Sequence, residues 1–196
     1  MTRACLARPT PWARCHWPCR FSALAARNWT TGFVAERTLL IGLGNLDRRD
    51  DGLGWFALNH VRQSLGLPQL DAYEDGLDDL GHGLDSIFVP LLAPELAELA
   101  AGYERVVIID ARYSGPPGLL CERVTVDSES GARLLSHDMF PAELVAMTAA
   151  LYGRSPEVFV VSALGSDFDF GVGLSPGLEA LLPMAASTVL ELIVSA

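Results

Sequence analysis

From Thr38 onward the apolar positions switch repeatedly between strand-like runs and helical spacing. Thr38 to Leu43 is a short apolar run leading into a Gly-rich acidic stretch, after which Leu53, Phe56, Ala57, Val61 and Leu65 recur at helical intervals. That pattern predicts strand, loop and helix. Gln69 to Tyr73 and Ser86 to Val89 read as the next two strands, and Pro94 with Leu96, Ala97 and Ala100 opens a further helix, Pro being tolerated in the first turn. Arg105 to Asp110 is the clearest strand, because Val106-Val107-Ile108-Ile109 lacks polar alternation, as a strand buried on both faces should. Glu122 to Val126 alternates like a half-exposed strand, Phe140, Leu144, Val145, Thr148 and Leu151 form one helical face, and Val158 to Val161 is another buried strand. The last helix opens with Ser175 as N-cap and Pro176 at its first position, and presents Leu178, Leu181, Leu182, Ala185, Val189 and Leu192 inward. Pro183 should kink or split it. Without a repeat or an interdomain linker, the alternation predicts an α/β fold: a single three-layer α/β/α sandwich with a mostly parallel sheet. Ligands in such folds gather at the carboxyl ends of the strands.

Composition narrows the function. The chain has 196 residues, 50% of them hydrophobic, enough for one domain with an ordinary core. A net charge of -10 argues against a nucleic-acid surface, which needs clustered cations to replace counterions around phosphates. All 14 basic residues are Arg, and the lack of Lys removes P-loop, Schiff-base and kinase chemistries that use an ammonium group. Gly, Pro or charge interrupts every apolar run before a membrane-spanning length, so no membrane partner is expected. Four Cys make no disulfide scaffold, and a reducing cytoplasm is the expected setting. Residues 1–35 differ from the rest, with five Arg, three Cys, three Trp and no acid. They are expected to be a disordered or mis-assigned extension, with translation starting near Val34 and the functional domain spanning 36–196. An Arg-rich transit peptide is the alternative, and Cys15-His16-Trp17-Pro18-Cys19 lacks the second half a zinc site needs.

Three polar clusters fall where strands should end. The first runs from Gly42 to Gly54 and includes Asp50 and Asp51. As a dinucleotide loop it fails, since Asp47 occupies the place of the third Gly and would bring negative charge toward a pyrophosphate. Acids at a helix start have a plain explanation as caps, but two adjacent ones cannot both cap well, which leaves one for ligation. The second is Asp110, after four apolar residues and before the Ser114-Gly115-Pro116-Pro117-Gly118 loop. The third is Ser136-His137-Asp138, ahead of the helix near Pro141. An isolated His is usually a packing residue, yet two carboxylates and an imidazole converging from three strand ends make a ligand set with open positions, suited to nickel or zinc. A response-regulator site also uses such acids, but it relies on a Lys that is absent here.

The motif Gly42-x-Gly44-Asn45-x-x-Arg48-x-Asp50-Asp51-Gly52-x-Gly54 resembles the opening signature of nickel-iron hydrogenase maturation endopeptidases. Pro94-Glu95-Leu96-Ala97-Glu98, Ile109-Asp110-Ala111, Ser136-His137 and Gly173-Leu174-Ser175-Pro176 follow in that family's order, over roughly residues 38–194. The resemblance implies an endopeptidase that trims a short C-terminal extension from a hydrogenase large-subunit precursor after nickel insertion. It assigns Asp51, Asp110 and His137 as the nickel-binding and catalytic set, with the nickel carried by the precursor. Asp51 stands where some members have Glu, which shortens the reach by one methylene, and Leu46-Asp47 and Arg49 depart from the usual loop.

The residues alone are consistent with this. There is no G-x-S-x-G elbow or H-E-x-x-H helix, and Cys121 has no His nearby in sequence, so a covalent nucleophile is not indicated. Glu95, Glu98, Asp78, Asp79 and Asp85 read as solvated face charges rather than docking residues, His60 as a boundary residue, and His82 as part of a Gly-flanked loop. The rival from another class is a noncatalytic metal-dependent binding module or maturation chaperone using the same three residues. A nucleotide-binding enzyme ranks third.

Overall fold

The computed structural model describes residues 36–71, 76–125 and 139–194. Strands β1 (Thr38–Leu43), β2 (Asp78–Gly81), β3 (Leu84–Val89), β4 (Arg105–Arg112), β5 (Leu119–Arg123) and β6 (Glu157–Leu164) form one sheet in the order β2-β3-β1-β4-β6-β5. The four inner strands run parallel, and the edge strands β2 and β5 are antiparallel to their neighbours. Helices α1 (Leu53–Ser64), α2 (Leu96–Ala100), α3 (Pro141–Tyr152), α4 (Pro176–Glu179) and α5 (Leu182–Val194) cover both faces. Successive residues of a strand point to opposite faces. Leu40, Val107 and Ile109 therefore pack with α1, α4 and α5, while Leu39, Ile41, Val106 and Ile108 pack with α2 and α3. This is the expected three-layer sandwich, and the unbroken apolar run of β4 is the sequence signature of its two covered faces.

Several boundaries differ from expectation. Gln69 to Asp71 is not a strand, because its neighbourhood is tied to α1 instead: Leu70 N–H donates to Asn59 Oδ1 at 2.7 Å and Arg62 Nε donates to the Pro68 carbonyl at 2.6 Å. Tyr73 lies outside the described residues. The additional strand is β2, joined to β3 by a tight turn with positive φ at both His82 (56°) and Gly83 (83°), the geometry that matches strand twist in two-residue hairpins. Asp85, expected on a solvated face, is buried in β3, where the Tyr103 hydroxyl donates to it at 2.6 Å and Arg37 lies at 3.3 Å. Asp78 pairs with Arg62, and Asp79 accepts from Gly81 N–H at 2.7 Å. Pairing in β5 starts at Leu119, opposite Ala163, and Val124 N–H still reaches the Val158 carbonyl at 2.8 Å, so the edge strand sits earlier than the alternation of Glu122 to Val126 implied.

The helix ends follow their sequence signals, although of the face expected to run from Phe140 to Leu151 only Leu144, Val145 and Thr148 are buried. In α3, Pro141 occupies the first turn, Glu143 accepts from Phe140 N–H at 2.8 Å, and Gly153 ends the helix with φ 64°. Pro183 splits the terminal helix as expected, with the break at Ala180 and Leu181, because Pro cannot donate to the preceding turn. The span Pro176–Val194 is long and apolar enough to cross a membrane, with mean hydropathy 1.6. In this fold Leu178, Leu182, Ala185, Ala186, Val189 and Ile193 are buried, and most of them lie in the core against α1 and the sheet.

Candidate functional site

The site forms where the chain leaves β1 and immediately folds back over the strand end. Gly44 (φ 127°) lies so close to the returning turn that a Cβ there would meet Asp51 O at 1.6 Å. At Gly54, in the first turn of α1, a Cβ would meet Leu43 O at 2.4 Å and Leu43 N at 2.5 Å. The glycines thus serve backbone-to-backbone packing, which seats the Arg49–Gly52 3-10 turn on the carboxyl end of β1.

The two adjacent acids on that turn divide their work. Asp50 is fully buried and caps neither its own turn nor α1. It reaches across to the segment after β6 instead. Its Oδ2 accepts from Ser166 N–H (2.7 Å), Asp167 N–H (3.0 Å), Ser175 Oγ (2.8 Å) and Ser166 Oγ (3.4 Å), and Oδ1 accepts from Ser175 N–H (2.6 Å). Burial pushes the Asp50 carboxyl upward, but the three backbone N–H groups and the Ser175 hydroxyl together outweigh it and hold the pKa below the usual value. Ser175 begins α4 as expected, with Pro176 next, yet its hydroxyl is committed to Asp50 and makes no cap bond. Backbone bonds from Asp50 N–H to Asp167 O (3.0 Å), Arg49 N–H to Gly171 O (2.9 Å) and Gly171 N–H to Asp47 O (2.9 Å) fasten the same two segments.

Asp51 takes the other direction. Its Oδ1 accepts from the Tyr113 hydroxyl at 3.2 Å, and its charge acts on Asp110 at the end of β4. The Asp110 pKa is pushed up to about 6, by burial first and by the negative charge of Asp51 as well, against the pull of Ala111 N–H, which donates to Asp110 Oδ1 at 2.8 Å. Tyr113 also titrates above its ordinary value, through burial and then Asp51, with Asp110 adding to the effect. Its ring stacks on Phe168 at 3.9 Å, and Arg48 Nε and Nη2 both donate to the Phe168 carbonyl at 3.3 Å. Arg112 ties down the loop that carries Tyr113, donating to the Ser114, Pro116 and Gly118 carbonyls at 3.0–3.2 Å.

Of the three residues picked from the sequence, Asp51 lies near enough to Asp110 for its charge to raise the Asp110 pKa, and His137 lies outside the described residues with Ser136 and Asp138. No group of three or more His, Cys, Asp or Glu suited to a metal occurs among the described residues. What these two coupled carboxylates, one near the end of β4 and one on the turn after β1, offer is a hard, anionic pair that a cation would relieve of mutual repulsion. The residues missed from sequence are Tyr113, Phe168 and Ser166, whose neighbours across the site are far away along the chain. Only Ser175 carried a local signal, as a cap.

No family model and no curated protein sequence matches this chain. Its fold is that of hydrogenase maturation proteases. The maturating endopeptidase HybD of E. coli is similar over 78% of this chain and 89% of its own, with 21% identity and a TM-score of 0.55. The [NiFe] hydrogenase maturation protease HybD of Thermococcus kodakarensis (22% identity, 80% and 99% covered, TM-score 0.53) is similar as well. So is a hydrogenase 2 maturation peptidase from a Thaumarchaeota archaeon (24%, 80% and 97%, 0.52).

Proposed function

We propose that this protein is an endopeptidase of hydrogenase maturation, removing a short C-terminal extension from a nickel-loaded large-subunit precursor. The observation that supports this reading is the electrostatic coupling of Asp51, on the turn that follows β1, to Asp110, near the end of the adjacent parallel strand β4, in a fold shared with maturation endopeptidases. On this reading nickel arrives as part of the substrate, held by the precursor, and completes its coordination with Asp51, Asp110 and His137. Each residue then has a defined task. Asp51 and Asp110 supply anionic oxygen, His137 a neutral nitrogen, and the shared ion fixes the precursor tail relative to the protein, which lowers the entropic part of the cleavage barrier. The raised Asp110 pKa fits a group poised to exchange its proton for a cation near neutral pH. The reaction belongs to the cytoplasm, where the precursor is made.

Incubation with a nickel-loaded precursor, followed by intact-mass measurement, tests the reading. Loss of a C-terminal peptide is expected from the wild type and not from Asp51→Asn or Asp110→Asn. Stable binding of precursor with no mass change would instead identify a metal-dependent chaperone.

A further inference from the structure

Tyr113 is 62% exposed, so burial does not explain why its side chain is held in place. Two contacts do. Its ring lies nearly parallel to Phe168, at an interplanar angle of 21°, and its hydroxyl donates to Asp51 Oδ1 at 3.2 Å. Phe168 is fixed in turn: Arg48 grips its carbonyl, and its ring sits so close to Gly165 that a Cβ there would meet it at 2.4 Å. The hydroxyl is thus carried on a platform built by the segment after β6, while the loop bearing it is stapled by Arg112.

We propose that Tyr113 is a positioning residue that orients the Asp51 carboxylate for a divalent cation shared with Asp110. One oxygen of Asp51 takes the phenol hydrogen bond, which restricts rotation about the carboxylate's own axis. Oδ2, and the second lone pair of Oδ1, remain for the ion. Hydrogen-bonded partners of this kind typically set the geometry and basicity of metal-binding side chains, and removing one costs roughly 10–100-fold in affinity.

This inference rests on the metal-dependent reading of the preceding subsection. The test titrates Ni2+ alone into the full chain by calorimetry, and Co2+ for its visible absorption, with wild type, Tyr113→Phe, Phe168→Leu and Asp51→Asn compared. Tyr113→Phe keeps the stack and removes only the hydroxyl. The expected result is Ni2+ affinity lowered by about tenfold or more, a changed Co2+ spectrum, and an unchanged thermal midpoint. Phe168→Leu should shift affinity and spectrum in the same direction by loosening the platform. Wild-type affinity and spectrum in Tyr113→Phe would overturn the role of Tyr113 alone. A wild type that binds no Ni2+, and so behaves like Asp51→Asn, would overturn the metal site and this inference with it.

Discussion

Asp50 and Asp110 are both aspartates at the same end of the sheet, yet their surroundings push them in opposite directions. For Asp50 the folded pKa is lowered, so its contribution is present above the unfolded value near 3.8 and is lost as pH falls through the still lower folded value. Asp50→Asn keeps the shape but turns one acceptor into a donor facing N–H and O–H groups that already donate. Urea denaturation at pH 7 should show a loss of about 2–4 kcal/mol, from the lost charge-assisted bonds and the buried donors left unpaired. The deficit should shrink below pH 4, where the wild type loses its own advantage. Asp110 behaves in reverse. Its folded pKa is raised from 3.8 to about 6, so the wild type carries no penalty below pH 4 and becomes progressively less stable, relative to an uncharged side chain, as pH rises through 6. Asp110→Asn should therefore gain stability over wild type between pH 4 and 7, by at most about 3 kcal/mol, and hold that gain at higher pH. A difference between the two proteins that does not change with pH would contradict the burial of Asp110.

At the scale of elements, the β1–turn–α1 unit depends on how closely its backbone passes itself. Gly54→Ala would drive a methyl group into Leu43 backbone atoms that have no freedom to move, since β1 is paired on both sides. The expected cost is about 1–3 kcal/mol of stability by denaturant titration. Gly177→Ala is the internal control: nothing lies within 4 Å of its Cβ position, its φ is ordinary, and it belongs to α4, so the same change should stabilise by about 0.4–1 kcal/mol. A similar loss in both variants would mean that close packing at Gly54 is not what the glycine provides. The segment after β6 is a second such unit. Ser166, Asp167, Gly171 and Ser175 bind it to the 3-10 turn along its length, so the turn and this segment should open together rather than separately.

For the whole molecule, parallel pairing of β1 with β4 is what turns two distant acids into one site. Gly42 pairs with Ile109, so Asp110 lies one residue beyond the last β1–β4 pair, still paired with β6, and the turn that carries Asp51 follows from the same end of β1. If a cation bridges the pair, its binding must displace the proton that Asp110 retains below pH 6. Nickel affinity should then fall by roughly tenfold per pH unit as pH drops below 6 and level off above 7, as measured by calorimetry across buffers. An affinity flat from pH 5 to 8 would place the ion elsewhere.

The pattern of apolar residues was sufficient for the layer architecture, because the inner strands and amphipathic helices are local and periodic. Val106 to Ile109 and the α1 spacing are the clearest cases. The Pro183 break and the Pro141 and Ser175-Pro176 helix starts were legible for the same reason, being properties of single residues and their backbone. Asp51 and Asp110 could be picked out as candidates by their position after apolar runs, and His137 by its motif, with its place lying outside the described residues. What the sequence left undecided was the division of labour between Asp50 and Asp51. Two identical side chains one position apart differ only in which way the turn aims them, and that depends on Ser166, Asp167 and Ser175 arriving from more than a hundred residues downstream. The edge strand β2, the start of β5 and the contacts of Tyr113 were hidden for the same cause. Their partners are chosen by tertiary contact, and contact between remote segments leaves no periodic trace along the chain.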